Sequence, residues 1–280
     1  MPDVPAEDFL ASMARASRER VTRASALRSM SQLRELCARM PPPQALRLSS
    51  TGFDLIAELK LRSPAQGQLG KAADAGVISA RVEAYANAGA ACISVLTEPS
   101  RFDGSMRHLE MATRALAGRA TVAMRKDFIV DPYQVYEARA AGASGVLLIL
   151  RMTNDDETAD LLASAVDLGM FALLEAFDAD DLHLARRLID RHSGGADNIL
   201  VGVNCRDLTS LAVVQSRLFE LAPLLPTGCA RVAESGIDNP ADAAAVREAG
   251  YQLALVGTAL MQSQDPGEAA SAMLRAARGG

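Results

Sequence analysis

The chain has no tryptophan, no Cys-x-x-Cys pair and no GxGxxG loop. It also has no uninterrupted apolar run near the ~20 residues that a membrane-spanning helix needs. Each absence removes a class of protein. Without a long apolar run, no membrane span is expected. The first twenty residues carry Asp3, Glu7, Asp8 and several arginines but no apolar stretch, so they do not read as a secretory signal. The four cysteines, Cys37, Cys92, Cys205 and Cys229, lie far apart. That usage fits a reduced, cytoplasmic protein better than a disulfide framework. A net charge of −5 argues against a general nucleic-acid binder, although a local basic pocket remains compatible with it. The three histidines, His108, His183 and His192, fall in or beside helical patterns and read as surface residues rather than metal ligands. No Ser/His/Asp nucleophilic set stands out, and no metal site is expected.

What is present is a repeating pattern. Nearly half of the 280 residues are apolar, ample for a core. Short apolar runs begin near Phe53, Ala91, Ala120, Ser144, Met170, Asn198, Ala230 and Leu253, with helical patterns such as Pro132 to Ala141 and Pro240 to Ala249 between them. Strands alternating with helices predict parallel pairing. Continuous runs such as Val146-Leu147-Leu148-Ile149 predict strands buried on both faces. Gly89, Gly142, Gly169 and Gly250 stand where helices end and positive φ is wanted. Eight units could form an open sheet or close on themselves. An open doubly wound sheet would more usually carry its phosphate loop after the first strand. Here the candidate phosphate elements come after the seventh and eighth runs, where barrels place them. The expected fold is therefore α/β, a single (β/α)8 TIM barrel spanning the chain. Residues 1–45 form a helical N-terminal extension. Within it Phe9, Met13 and Val21 make a loose apolar stripe, and Leu27, Met30, Leu33, Leu36 and Cys37 a tighter one, before Pro41-Pro42-Pro43 stops the helix.

Charged and polar residues end these runs. Lys60 closes the first and Lys126 the third, and Glu175 ends the fifth. Asn204 and Arg206 end the sixth, and Glu234-Ser235-Gly236 the seventh. In a parallel barrel all strand C-termini open onto one face, so these distant residues would meet in one pocket. Glu58 lies two residues before Lys60, on the same side of the strand. A buried lysine needs a partner, since an unpaired ammonium is costly to bury. Lys60 could pair with Glu58 or Glu175. Desolvation would lower a lysine pKa, and neighbouring carboxylates would oppose the shift. Arg206 could instead form a loop salt bridge with Asp207. Small residues at Ser235-Gly236 and Gly257-Thr258 would let backbone N–H groups approach an anion, with a helix start after Gly257 adding its dipole.

Several stretches resemble the indole-3-glycerol phosphate synthase family. They are IAELKLRSPAQGQLG at 56–70, ISVLTEPSRFDGS at 93–105 and RKDFIVDPYQVYEARAAGASGVLLI at 125–149. LLEAFD at 173–178, VGVNCRDL at 201–208, AESGI at 233–237 and VGTALM at 256–261 follow in family order. The resemblance implies ring closure, decarboxylation and dehydration of 1-(o-carboxyphenylamino)-1-deoxyribulose 5-phosphate, a step of tryptophan biosynthesis. It implies catalytic roles for Lys126 as the acid of ring closure and for Lys60, Glu58 and Glu175 in later proton transfers. Asn204, Arg206 and Glu234 would orient the substrate. Ser63, Ser235, Gly236, Gly257 and Thr258 would hold its phosphate, and Phe128 would line the aromatic pocket. The partner expected is thus a phosphorylated small molecule. Monomer, weak homodimer and association with a pathway enzyme all stay open.

The sequence also departs from the family pattern. Leu61 stands where a basic residue is expected, Ala65-Gln66 follow Ser-Pro unusually, and Thr258 replaces the usual Ser. With no tryptophan, the extension's contact with the aromatic pocket must come from Phe9 or an aliphatic residue. Competing readings are a paralogue acting on a modified anthranilate, another phosphate-sugar barrel enzyme (an isomerase or Schiff-base aldolase), and a non-catalytic scaffold.

Overall fold

A computed structural model describes residues 6–50, 52–63, 67–69, 75–192, 198–207 and 210–279. Eight strands form the barrel: β1 Asp54–Leu59, β2 Cys92–Leu96, β3 Val122–Lys126, β4 Gly145–Ile149, β5 Phe171–Ala176, β6 Ile199–Asn204, β7 Ala230–Glu234 and β8 Leu253–Val256. Each pairs in parallel with its sequence neighbours, and β8 returns to β1 with Ala57 beside Val256. The expected run starts fall within two residues of these strands. A short antiparallel pairing, Arg62–Ser63 with Gly67–Gln68, lies after β1.

The period-2 geometry of a strand sorts each apolar run into two layers. Val146 and Leu148 of β4 join the cluster between barrel and helices. Leu147 and Ile149 join a second cluster inside the barrel, with Ile56, Met124, Phe171, Leu173 and Leu255. Space inside is tight enough to dictate sequence. A Cβ on Gly145 would sit 2.3 Å from the Phe171 ring, so the glycine admits the phenylalanine.

Local signals set the helix boundaries. Asn154 with Glu157 and Asn239 with Asp242 form reciprocal capping boxes. Asp178 caps its helix by accepting from Asp181 N. The four glycines at helix ends all have positive φ, from +69° at Gly169 to +98° at Gly250. At the base of the barrel, Arg278 of the last helix, Pro266–Arg278, bonds Asp54 at 2.9 Å and ties the end of the described chain to the first strand.

The extension is two helices, α1 Ala6–Leu27 and α2 Met30–Arg39. Met13, Ala14 and Ser17 of α1 are buried, as are Leu33 and Cys37 of α2. Two members of the expected stripe are not. Leu27 is 89% exposed and Leu36 37% exposed. Leu27 ends α1 at the corner between the helices, where nothing covers it, and Leu36 lies off the face that α2 presents to Pro132–Ala140. That contact brings Cys37 Sγ to the Tyr136 carbonyl and Arg34 over the Tyr136 ring. Backbone helicity ends at Arg39, ahead of the proline triplet, so the last residues assigned to the extension are not helical.

What holds α1 on the barrel is a buried carboxylate. Asp127, directly after β3, accepts from Arg20 at 2.7 and 2.9 Å. It also accepts from Arg125 Nη2 at 2.9 Å, from Thr97 Oγ1 at 2.6 Å and from its neighbour Phe128 N at 2.8 Å. Ser17 adds a bond to the Phe128 carbonyl. Burial alone would raise the Asp127 pKa, but Arg125, Arg20 and Thr97 outweigh it and hold the group at about 2. A carboxylate with a depressed folded pKa lends stability that is complete above its unfolded value, ~3.9, and is lost as pH falls through the folded value. Asp127→Asn should therefore cost about 3 kcal/mol by urea unfolding at pH 7. The gap to the parent should narrow as the pH is taken from ~4 towards ~2. A difference that does not change with pH would contradict this role.

Candidate active site

The barrel's C-terminal ends converge on a cavity of about 200 Å³. All thirteen residues singled out from the sequence line it: Glu58, Lys60, Ser63, Lys126, Phe128, Glu175, Asn204, Arg206, Glu234, Ser235, Gly236, Gly257 and Thr258. Strand alternation aims the key ones inward. On β1, Ile56 belongs to the interior cluster, so Glu58 shares its side. The same count on β3 takes Met124 to Lys126, and on β5 Leu173 to Glu175.

Two ion-pair groups result. Lys60 Nζ lies 2.8 Å from Glu58 and 3.5 Å from Thr258 Oγ1, so it spans the first and last strands. Lys126 Nζ lies 3.1 Å from Glu175 and 3.5 Å from Glu234. Of the two partners open to Lys60, the structure thus gives it Glu58. Asn204 links the second group to the mouth. Its amide nitrogen donates to Glu175 at 3.2 Å, and its oxygen accepts from Ser235 Oγ at 2.8 Å and Arg206 N at 2.9 Å. Both ends of the amide are in use.

Proximity of charge decides the protonation preferences. Burial disfavours the ammonium of Lys126, but Glu175, Glu234 and Glu58 outweigh it and push its pKa up. Burial would also raise Glu58, yet Lys60, Lys126 and Arg206 bring it down. Glu234 goes the other way. Burial and the neighbouring Glu175 lift it well above the usual carboxylate range. The contest at Lys126 that the sequence left open is settled in favour of the carboxylates.

Two glycines make this packing possible. A Cβ on Gly257 would stand 2.1 Å from Glu58 Oε2, and one on Gly202 would stand 2.1 Å from Glu234 Oε1. Gly257 has a φ of −121°, so what it supplies is room rather than conformational freedom. At the β7 end, Ser235 and Gly236 both take left-handed backbone, with φ of 67° and 68°. Such a φ is uncommon for serine.

Phe128 forms one wall. Phe9 of α1 meets it edge-on at 5.8 Å, and Phe102 lies tilted against it at 6.2 Å. The extension thus supplies its contact through Phe9. Phe102 was missed, although it lies inside the matched stretch 93–105. Leu147, Ile149 and Leu255 also line the cavity, and inward alternation could have found them. Leu211 and Val213 come from the loop after β6 and left no pattern to read.

One alternative falls away and one expectation needs correction. Arg206 does not bridge to Asp207. Its guanidinium donates to the Leu211 carbonyl at 2.9 Å, while Arg217 approaches Asp207 at 3.8 Å. His108 is buried rather than at the surface, because the helix Met106–Ala115 turns that face onto the barrel beside Leu109 and Ala112.

Fold and cavity together define a (β/α)8-barrel enzyme that gathers acids, bases and aromatic rings at the C-terminal ends of its strands. A family profile described as indole-3-glycerol phosphate synthase matches residues 10–273, and the chain belongs to that family. Proteins named indole-3-glycerol phosphate synthase are similar along most of their length. The one from Rhizorhabdus wittichii is 38% identical, covering 93% of this chain and 96% of its own. The one from Bordetella pertussis is 39% identical over the same shares. The Nocardioides protein is 42% identical, covering 85% of this chain and 87% of its own. Among solved structures, 3-hexulose-6-phosphate synthase from Salmonella typhimurium superposes with a TM-score of 0.60 at 16% identity, covering 80% of this chain and 98% of that one. At that identity the likeness concerns the fold alone.

The fit at Gly257 can be tested directly. Gly257→Ala should cost ~1–3 kcal/mol by overpacking against Glu58. The cost should fall in a Glu58→Ser background, where the obstructing carboxylate is gone. Equal costs in both backgrounds would show that the glycine serves something other than room for Glu58.

Proposed function

We propose that the protein is an indole-3-glycerol phosphate synthase, a carboxy-lyase of tryptophan biosynthesis. Its substrate would be 1-(o-carboxyphenylamino)-1-deoxyribulose 5-phosphate. The observation that carries this reading is the convergence of Lys126, Glu175, Glu234, Lys60 and Glu58 on one aromatic-walled cavity in a chain of this family.

The proposed chemistry begins when the ring carbon that bears the carboxylate attacks the ketone. The ketone oxygen gains the electron pair and needs a proton. Lys126 supplies it. An ammonium with a raised pKa is suited to an alkoxide, a strong base, and stays protonated until that base forms. Loss of carbon dioxide restores the aromatic ring, with the electron pair of the breaking bond returning to it. The hydroxyl then leaves as water and a ring proton departs, so this half needs one acid and one base. Lys60 and Glu58, 2.8 Å apart, form a suitable pair, and Glu175 is a third candidate. The substrate provides its own electron sink, and the chemistry proposed draws on no metal or organic cofactor.

In this reading, Phe128, Phe102 and Phe9 hold the aromatic ring. Ser63, Ser235, Gly236, Gly257 and Thr258 surround the phosphate, and Asn204 and Arg206 orient the polar chain. Among the described residues no helix is long and apolar enough to cross a membrane. We place the enzyme in the cytoplasm with its pathway.

Purified protein given the carboxyphenylamino substrate should generate indole fluorescence. Lys126→Gln keeps a neutral donor for Glu175 and so should fold, yet turnover should drop by about 10² or more. Full activity in that variant would remove Lys126 from the acid role. No turnover in the parent would favour the paralogue or scaffold. A borohydride-reducible lysine adduct would favour the aldolase.

A further inference from the structure

At the strand ends two lysines face three carboxylates, and Arg206 lines the same cavity. Glu58 has Lys60 to itself at 2.8 Å. Glu175 is doubly held, by Lys126 at 3.1 Å on one oxygen and by the Asn204 amide at 3.2 Å on the other. Glu234 has neither advantage. It is 1% exposed, and among the described residues neither of its oxygens has a hydrogen-bond partner. Its ion-pair neighbour among the described residues, Lys126, is 3.5 Å away and donates to Glu175. Around it β1 presents Glu58, β5 presents Glu175 and β6 presents Asn204, whose amide nitrogen donates to Glu175. Leu96, Ile149 and Leu255 complete the wall from β2, β4 and β8. The carboxyl folds into the notch at Gly202, beside the Leu173 methyl group.

An ionised carboxylate that is buried and unbonded is expensive, and such a group takes up a proton instead. Arg206 lines the same cavity, but its guanidinium donates to the Leu211 carbonyl and forms no hydrogen bond with Glu234. We propose that Glu234 is a neutral carboxylic acid in the free enzyme that meets the substrate as a hydrogen-bond donor. The donor role rests on the synthase reading, and the protonation state does not. It gives Glu234 a chemical preference. It would donate to an oxygen acceptor on the sugar chain, a ketone or the hydroxyl derived from it. Its high pKa has the same origin, in burial and the adjacent Glu175.

Infrared difference spectroscopy of the ligand-free protein tests this. The parent minus Glu234→Gln spectrum at pH 7 should show a carboxylic-acid carbonyl band, and the band should disappear only at a pH above the usual carboxylate range. No acid band in the parent at pH 7, which can be read without any variant, would overturn the proposal. So would a band that survives in Glu234→Gln. In turnover assays Glu234→Gln keeps a neutral donor in place and Glu234→Leu removes it, so KM should rise more in Glu234→Leu than in Glu234→Gln. Equal rises, or none in either, would reject the donor role. The infrared arm uses no substrate, so a parent that fails to make indole product would sink the synthase reading and leave this measurement standing.

Discussion

The bond from Lys126 to Glu175 exists only because the barrel closes. The two residues are 49 apart in sequence and end different strands, yet their charges are 3.1 Å apart. A lysine at the end of a buried strand could not stay ionised alone. It requires its carboxylates, and the amide of Asn204 holds the oxygen of Glu175 that Lys126 does not. Everything chemical at the mouth is arranged around that shared ammonium. The carboxylates outweigh its burial and push its pKa up.

Below the charges, volume does the organising. Gly257 and Gly202 give the space into which Glu58 and Glu234 fold, as Gly145 does for Phe171 one layer down. A close-packed barrel interior has no spare room, so each large inward group needs a small neighbour. This changes the meaning of Gly257. The sequence suggests a backbone that approaches phosphate, and the packing adds a second duty, clearance for Glu58.

The N-terminal extension takes part in the same construction. Asp127, next to Lys126, anchors Arg20, and Phe128, one residue on, receives Phe9. Three consecutive residues therefore face three environments: the cavity, the extension's anchor and the aromatic wall. Docking of α1 and placement of Lys126 are mechanically linked through one backbone turn.

The alternation of apolar runs and helix signals made the eight strands legible, since period and length follow from local geometry. The charged run-ends marked the mouth, because such residues are costly there without a purpose. What stayed hidden were relations across the barrel. Glu58 or Glu175 could equally have partnered Lys60, and Arg206 could equally have met Asp207. Leu27 and His108 were misplaced because helix periodicity tells which residues share a face, and not what covers that face. By itself the sequence determined the order of elements and the identity of the groups at the strand ends, since both depend on neighbours within a few residues. Which carboxylate took which lysine, and which was left without a partner, was decided only when the eighth strand met the first, because Coulomb and packing energies depend on distances that chain order does not contain.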